Sequence, residues 1–388
     1  MNDFVYNNPV KVYFGKDQLQ HLGSEVSKFG KRVLLTYGGG SIKKTGLYDR
    51  VMEVLKASGL EVFEMSGIEP NPRIETVRRG AGMCKEHEID VILAVGGGST
   101  IDCSKWIAAG ACVDFDPWDF FGKNVVVEKA LPLVTILTLA ATGSEMNMGG
   151  VISNLETKQK MGRASVHLFP KVSFLDPTLT YTVNQYQTAC GSADIMSHIM
   201  ETYFNPNESM YMIDSFMEGM MRTVIKYAPI AYNEPENYEA RANLMWAGSW
   251  GISPLPRTFQ KHAWSCHPME HELSAFYDIT HGLGLAIITP KWMRYCLSEE
   301  NVDRYVQFGV NVFGIDATLE PMEIAYTAIE MLEDFLYNQL HLADTFTKID
   351  IGDEDFEAMA YKACGGNSIK GFVELDKEDI EAIYRMCL

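Results

Sequence analysis

The 388-residue sequence lacks the features that mark secreted, redox-active and membrane-spanning proteins. Its eight cysteines include no Cys-x-x-Cys pair, and the start, MNDFVYNNPVKVYFG, has no basic segment followed by an apolar one. These absences predict reduced thiols and a cytoplasmic protein. No apolar run approaches the roughly 20 residues that cross a bilayer, so the sequence excludes a transmembrane role.

Positive charge is also scarce. The chain has 33 Lys and Arg against 51 Asp and Glu, a formal net charge of -18. Such a surface repels nucleic acid and anionic membranes, so neither is expected as a partner. Any phosphate group would have to be held by a local arrangement of backbone and side chains, and a small-molecule substrate is the expected partner.

Two kinds of periodicity divide the sequence. Before residue 183, short β-branched runs alternate with helix-like segments, which predicts a mostly parallel sheet covered by helices. The runs are KRVLLTY, EVFEMS, DVILAV, LPLVTILTL and KVSFLD. From there on the strand signals stop and amphipathic helices follow one another, which predicts an all-helical second domain. Because no Gly/Ser-rich linker separates the halves, two closely packed domains with a cleft between them are expected.

Two glycine-rich loops follow predicted strands, in LLTYGGGSIKKTG (34–46) and LAVGGGSTIDCSK (93–105). A strand that ends in three glycines and enters a helix exposes backbone N–H groups and a helix N-terminus, which suit a pyrophosphate. One such loop could be a tight turn, and neither matches G-x-G-x-x-G or the P-loop. Two in one sheet favour nucleotide binding. A third segment, TLAATGSEMN (138–147), adds hydroxyl groups, although alone it could be an ordinary polar loop.

Three of the nine histidines lie in the stretch SCHPMEHELSAFYDITHG. His267 and His271 are four residues apart, as are Asp194 and His198 in GSADIMSH, and that spacing places each pair on one helix face. His281 follows ten residues after His271. A single buried histidine is most simply a hydrogen-bonded core residue, but this clustering predicts a metal site. Carboxylate and imidazole without thiolate suit Fe(II), Zn, Mn, Co or Ni.

One alternative for the same stretch is a zinc peptidase, because His267 to His271 spells H-x-x-E-H. Pro268 would open or kink a helix within the motif, whereas the peptidase needs the motif on an uninterrupted turn. That interpretation also leaves Asp194, His198 and the glycine loops without a role. The sequence therefore disfavours it.

Four segments together resemble the iron-containing (group III) alcohol dehydrogenases, in the same order and over the whole chain. They are GGGSTIDCSK, TLAATGSEMN, GSADIMSHIMETY and CHPMEHELSAFYDITHGLGLAI. YGGGSIKKTG and GIEPNP resemble the NADPH-dependent butanol dehydrogenase branch of that family. The resemblance implies an α/β fold with a Rossmann-like dinucleotide-binding domain (1–182) and an all-helical, dehydroquinate synthase-like metal-binding domain (183–388). It also implies a homodimer with the active site in the cleft.

The resemblance further implies a role for individual residues. The expected metal is Fe(II), with Zn possible, and the implied ligands are Asp194, His198, His267 and His281. His271 would stand beside nicotinamide and substrate as a non-ligand, and is the candidate for proton relay. The implied contacts of the pyrophosphate are Gly97, Gly98 and Ser99, with Asp102 on the carboxamide side. Around the rest of the cofactor stand Thr138, Thr142, Asn147 and Lys160.

The loop after the first predicted glycine strand bears on the choice between NAD and NADP. NAD-using relatives tend to place an acid there, which would repel a 2′-phosphate. This chain has Gly38 and Gly39, followed by Ser41 and Lys43. Small, hydroxyl and cationic groups accept a phosphate, so NADP(H) is predicted. The alternative role for Lys43 is a solvated helix charge.

The predicted reaction is reversible, metal-dependent reduction of small aldehydes such as butanal by NADP(H). Three alternatives stay open: an NAD-dependent polyol dehydrogenase of the glycerol type, a dehydroquinate synthase-like lyase, and a non-enzymatic nucleotide sensor. A phosphate-bearing lyase substrate needs cations in the cleft, and the sequence shows few near residues 257–294 beyond Arg257, Lys261 and Lys291. A sensor has no use for four metal ligands.

Overall fold

The computed structural model describes residues 4–205, 211–253, 255 and 262–388, so Arg257 and Lys261 lie outside the described residues. The chain forms two compact units. The sheet unit consists of Asn7–Val183 and Pro235–Ser253. The helical unit consists of the described residues of Met1–Tyr6, Asn184–Glu234 and Pro254–Leu388. Within the described ranges, no helix is long and apolar enough to cross a membrane.

Six parallel strands form the sheet of the first unit. They are β1 (Lys11–Phe14), β2 (Arg32–Tyr37), β3 (Glu61–Met65), β4 (Val91–Gly96), β5 (Leu133–Leu137) and β8 (Val172–Leu175). Their spatial order is β1-β8-β5-β4-β2-β3. This confirms the parallel sheet predicted from the apolar runs. Only the edge strand β1, which is short and half-exposed, was not among those runs.

Alternate residues of the strands face two different cores. Leu34, Ile92 and Ala94 belong to one apolar cluster, whereas Leu35 and Leu93 belong to the other. Successive side chains of a strand point to opposite faces, so a sheet with both faces covered needs apolar residues at every position. This explains why the strands read as continuous apolar runs rather than as alternating ones.

The strand order creates a switch point between β2 and β4. From β2 the chain continues to β3 on one side of it and later returns to β4 on the other, with Tyr37 opposite Val95. Ligands of doubly wound sheets bind at the carboxyl ends of the strands beside such a point. The two glycine-rich loops follow these two strands, so the topology brings them together.

Helices cover this sheet and one hairpin extends the unit. The helices are α1 (Leu22–Val26), α2 (Ser41–Lys44), α3 (Leu47–Ala57), α4 (Ile74–Glu86), α5 (Gly98–Gly110) and α6 (Asp119–Gly122). Helices α2 and α3 are separate, because Gly46 between them has φ +74°. An antiparallel hairpin of β6 (Gly149–Asn154) and β7 (Gln159–Ala164) was not predicted.

The sheet unit also includes a later helix, α9 (Tyr238–Gly251). Its Met245 belongs to a core cluster of the sheet unit, and the Ser249 hydroxyl donates to Glu145 at 2.5 Å. The sequence pattern predicted a helical domain for every residue after 182. The structure differs there, because a helical pattern shows which face is buried but not which core covers it.

The helical unit holds the predicted metal ligands. Its helices are α7 (Gln185–Tyr203), α8 (Tyr211–Asn233), α10 (Cys266–Tyr277), α11 (His281–Cys296), α12 (Val302–Phe308), α13 (Pro321–Glu333), α14 (Phe356–Ala363) and α15 (Lys377–Met386). A hairpin whose strands have two residues each, β9 (Ile369–Lys370) and β10 (Glu374–Leu375), lies between α14 and α15. At Gly282 a Cβ would lie 2.0 Å from the carbonyl oxygen of Cys190. Helices α7 and α11 therefore approach closely beside His281.

Candidate functional site

Helix α7 positions two of the predicted metal ligands. Asp194 and His198 are buried and lie one turn apart, so both point to the same side of the helix. Oδ1 of Asp194 lies 3.5 Å from Nε2 of His198 and 3.6 Å from Nε2 of His281. This carboxylate oxygen therefore faces two imidazole nitrogens that come from different helices.

The first turn of α10 adds a third imidazole. The His267 ring stacks on His198 with 4.8 Å between centroids, and its centroid is 5.2 Å from that of His281. One ligand atom from each of Asp194, His267 and His281 lies within 4.8 Å of the others. Tetrahedral ligands about 2.1 Å from an ion are separated by about 3.4 Å, close to the distances around Asp194. The donor set therefore fits a divalent ion of the kind expected from the sequence.

A second carboxylate, which the sequence analysis did not identify, holds His267. Glu201 accepts hydrogen bonds from the backbone N–H groups of Ser265 and His267, each at 2.7 Å. The same carboxylate lies 3.1 Å from Nδ1 of His267. A carboxylate partner favours the proton on Nδ1 and leaves Nε2 to bind a metal. Glu201 lies seven residues after Asp194, and this shared helix face was the available signal.

Glu270 holds His281 in the same way, through Nδ1 of the ring. One of its oxygens is hydrogen-bonded to Nδ1 of His281, and the other accepts the hydroxyl of Ser274. Glu270 is the glutamate of the apparent peptidase motif, and these contacts engage its carboxylate with a ligand candidate rather than leaving it as a base. Pro268 stands within the first turn of α10, where proline is tolerated, and opens the helix rather than kinking it.

His271 lies beside this cluster. Its ring centroid is 5.8 Å from that of His281 and 6.3 Å from that of His267, and its side chain is half-buried. It shares a possible ligand group with Glu270 and His281. Because Glu270 already contacts Nδ1 of His281, the grouping with Asp194 fits a metal better. The non-ligand role of His271 stays a prediction.

In the sheet unit, the loop after β4 leads into the N-terminus of α5 and packs closely against the segment of Leu139 and Thr142. A Cβ at Gly98 would lie 2.2 Å from Oγ1 of Thr142, and one at Gly97 would lie 3.2 Å from Cβ of Leu139. Any side chain at Gly98 would therefore collide with its neighbour. The first N–H groups of a helix have no intrahelical acceptor, and with the helix dipole they suit a pyrophosphate, as predicted for Gly97, Gly98 and Ser99.

Helix α5 also clamps the segment that follows Thr142. Asp102 accepts the Ser144 hydroxyl at 2.5 Å and the backbone N–H of Val151 at 2.8 Å. One turn later Lys105, which is fully buried, donates to Asn147 O at 3.0 Å, to Asn147 Oδ1 at 2.9 Å and to Gly149 O at 2.6 Å. The sequence analysis did not single out Lys105, whose only signal was a cation within an apolar helix.

Burial disfavours the charged forms of both Lys105 and Asp102. It lowers the pKa of Lys105 to about 8, although the carboxylates of Asp102 and Glu145 favour its charged form. Burial raises the pKa of Asp102, which the charges of Lys105 and Lys160 oppose. The three acceptors of Lys105 match the three donors of an ammonium group, so the geometry requires the charged form.

The other predicted cofactor positions surround the same segment. The backbone N–H of Thr138 donates to Gly96 O at 3.0 Å, which places it directly beside the glycine loop. The Asn147 side chain also donates to Gly143 O at 3.1 Å, so its amide is tied to the protein. Lys160 is buried in β7. Their contacts with a dinucleotide stay predictions.

The loop after β2 is sterically open at both Gly39 and Gly40, but the backbone of Gly40 is in the left-handed region. A Cβ at Gly39 would meet no heavy atom of the described residues within 4 Å, whereas Gly40 has φ +98° and needs glycine. Ser41 opens α2, and Nζ of Lys43 lies 4.5 Å from the Tyr48 ring and 3.9 Å from the Glu64 carboxylate. Lys43 therefore contacts Tyr48 and Glu64, while half of its side chain is exposed to solvent.

Comparison with known families covers almost the whole chain. Residues 9–177 match the family described as iron-containing alcohol dehydrogenase. Residues 188–388 match the C-terminal domain of the Fe-containing alcohol dehydrogenase family. The first match includes the glycine loops, and the second includes the Asp194 and histidine cluster.

Three relatives illustrate the similarity. NADH-dependent butanol dehydrogenase A of Clostridium acetobutylicum is 48% identical over 387 residues, 99% of either chain. NADPH-dependent aldehyde reductase YqhD of Escherichia coli is 40% identical over 295 residues, 75% of either chain. The crystal structure of NADH-dependent butanol dehydrogenase A from Thermotoga maritima superposes with a TM-score of 0.94 at 36% identity, covering 100% of this chain and 99% of that one.

Proposed function

The chain belongs to the iron-containing alcohol dehydrogenase family, and we propose that it interconverts small aldehydes and primary alcohols, such as butanal and butanol, with NADP(H). The observation that carries this proposal is the cluster of Asp194 and three imidazoles, of which His267 and His281 are held by Glu201 and Glu270. Such carboxylate support is typical of metal-binding histidines. Neither a nucleotide sensor nor a simple structural role requires it.

The residues proposed to hold the metal are Asp194, His198, His267 and His281, with Fe(II) expected and Zn possible. A divalent ion bound there would supply Lewis-acid polarisation of an aldehyde oxygen. Three neutral imidazoles and one carboxylate leave a bound divalent ion with net positive charge. Glu201 and Glu270 keep the ligand rings oriented and set their tautomers, so that the ligand nitrogens need little reorganisation when substrate binds.

The residues proposed to hold the cofactor begin with Gly97, Gly98 and Ser99 at the N-terminus of α5, which suits the pyrophosphate. The clamp of Asp102 and Lys105 fixes the segment that includes Thr142 and Asn147, proposed for the nicotinamide side. We assign to His271 the transfer or orientation of the proton that the alcohol oxygen gains. His271 lies beside the candidate metal ligands but does not belong to the group that includes Asp194.

NADP(H) preference rests on the open position at Gly39 and on Ser41 and Lys43. Relatives include proteins named as NADH-dependent and one named as NADPH-dependent, which supports a nicotinamide cofactor and leaves the choice to the residues of this loop. A homodimer is likewise proposed. β1 forms an edge of the sheet, and Phe14 at its end is 38% exposed. Sedimentation velocity at micromolar concentration would test the dimer.

The function is tested by anaerobic assays on protein stripped of metal and resupplied separately with Fe(II), Zn or Mn. Oxidation of NADPH and of NADH is followed with butanal, and reduction of NAD with glycerol. We expect turnover of butanal only with added metal, faster with NADPH. His267→Ala should lose both metal and turnover, whereas His271→Ala should keep the metal and lose turnover. Loss of metal from both variants would contradict the division of roles.

The other outcomes separate the alternatives. Oxidation of glycerol with NAD in preference to butanol would indicate a polyol dehydrogenase. Stoichiometric metal and bound dinucleotide without turnover of any alcohol or aldehyde would indicate a sensor or a lyase. Turnover of butanal with NADH alone would keep the metal site and remove the argument from Gly39.

A further inference from the structure

The ion pair of Lys43 joins three elements at the carboxyl end of the sheet. Glu64 is the last residue but one of β3, and Tyr37 ends the neighbouring strand β2. Lys43 lies on α2, which follows the glycine loop, and Tyr48 lies on α3. The segment after β3 also bonds to this loop, because the N–H of Gly67 donates to Gly38 O at 3.1 Å. The cluster therefore borders the proposed adenosine end of the cofactor.

Glu64 is held as an anion within this cluster. The Tyr48 hydroxyl donates to one of its oxygens at 2.7 Å, and the Tyr37 hydroxyl donates to the other at 2.9 Å. The hydrogen bond from Tyr48, the one from Tyr37 and the charge of Lys43 lower the pKa of Glu64, while burial works against them. Two donors and a cation thus fix a negative charge next to Lys43.

The position of Lys43 follows from the same contacts. Its Nζ lies over the Tyr48 ring at 4.5 Å and is 5.3 Å from the centroid of Tyr37. It is 3.9 Å from Oε2 of Glu64, and half of the lysine side chain is exposed. The carboxylate at this distance offsets part of the attraction that the Lys43 cation exerts on a negatively charged ligand nearby.

We propose that Glu64 is a specificity-determining residue, which weakens the discrimination in favour of NADPH by partly offsetting the charge of Lys43 beside the 2′-position of the adenosine ribose. The proposal rests on the proposed function, since it concerns the cofactor of that reaction. Gly39 admits a 2′-phosphate sterically, and Lys43 would attract it. Glu64 offsets that attraction, so that NADH remains a competent cofactor.

The test measures dissociation constants of NADPH and NADH without aldehyde, from quenching of tryptophan fluorescence of the metal-loaded protein. In Glu64→Gln the Lys43 charge is released, and we expect NADPH to bind about fivefold tighter relative to NADH, a size set by exposed ion pairs. The Kd of NADH should stay within error, because NADH has no 2′-phosphate. Raising the salt concentration should reduce the gain.

Three further variants show whether the charge of Lys43 is the cause. Lys43→Met should weaken NADPH and leave NADH unchanged, and adding Glu64→Gln to it should give a smaller gain than Glu64→Gln gives in the wild type. Glu61→Gln removes the same charge from the opposite end of β3, where Glu61 pairs with Arg32 at 3.5 Å, and should not change the ratio.

Specific outcomes would overturn the proposal. An unchanged or NADH-shifted ratio in Glu64→Gln, with both cofactors still bound, would refute the role of Glu64 and leave the proposed function intact. An equal gain in the double variant would show that Lys43 is not the mediator. Failure of the wild-type protein to bind either cofactor would refute the proposed function, and this proposal with it.

Discussion

Replacing Glu201 by glutamine tests whether the buried carboxylate behind His267 controls metal affinity. The carboxylate accepts two backbone N–H groups and contacts Nδ1 of His267. Glutamine has nearly the same shape but only one acceptor oxygen, and its NH₂ group cannot accept. In the best orientation it keeps the two contacts to His267 and loses the one to Ser265, while Nδ1 faces a neutral rather than a charged acceptor.

Two magnitudes follow. Leaving one buried N–H group without its acceptor costs about 1 to 3 kcal/mol of stability. Loss of the carboxylate behind a metal-binding histidine lowers metal affinity by about 10- to 100-fold, or about 1.4 to 2.7 kcal/mol. Both effects should appear in Glu201→Gln, whereas Glu299→Gln, which removes an exposed acid of the same unit, should show neither.

The assay follows release of Fe(II) or Zn to a chromogenic chelator at several chelator concentrations, with thermal unfolding of the same samples. Release from Glu201→Gln should begin at a chelator concentration about 10- to 100-fold lower than for the wild type. If the variant unfolds earlier but holds metal as the wild type does, Glu201 is a structural residue and the argument fails. A variant that matches the wild type in both measurements refutes it fully.

Three more predictions concern other parts of the chain. Lys105→Met removes three hydrogen bonds from Asn147 and Gly149 and should weaken cofactor binding at least tenfold while leaving bound metal unchanged; equal loss of both would indicate general misfolding. Gly98→Ala would collide with Thr142 and should abolish dinucleotide binding, whereas Gly39→Ala should be tolerated. Burial raises the pKa of Glu272 to about 7, so its contribution to stability is lost as the pH rises from about 4.5 through 7. The free energy of unfolding of Glu272→Gln, minus that of the wild type, should therefore be larger at pH 8 than at pH 5 by up to about 3 kcal/mol. Thermal unfolding of both proteins at the two pH values measures this, and an equal difference at both would contradict the shifted pKa.

The central strands and the ligand helices could be predicted from sequence because each has a signal that needs no tertiary knowledge. A strand buried on both faces is continuously apolar, as in VILAV, and the candidate ligands Asp194 and His198 stand four residues apart on one helix face. The hairpin of β6 and β7 carries no such signal. Its two strands contain four charged or amide side chains, and β6 packs on α5.

The residues that were not predicted from sequence are those that position other site residues through hydrogen bonds. Glu201 and Lys105 act through the atoms they contact, and only the folded structure shows which atoms those are. Glu270 was visible in a motif, but its partner His281 comes from the next helix. The contact of Lys43 with Glu64 joins residues that are distant in sequence and lie on α2 and β3. Spacing alone does not reveal such pairs.

The placement of α9 in the sheet unit has a consequence for how the chain is made. During synthesis the sheet unit lacks a core helix until about residue 253 has emerged, although its strands end at Leu175. Helices α7 and α8 are made in the meantime, before α11, on which α7 packs, has been synthesised. A fragment cut at residue 183 would thus expose the apolar surface that Met245 covers. Because the segments of the two units alternate along the chain, neither unit is complete before part of the other has been synthesised. The two units are therefore expected to fold together rather than one after the other.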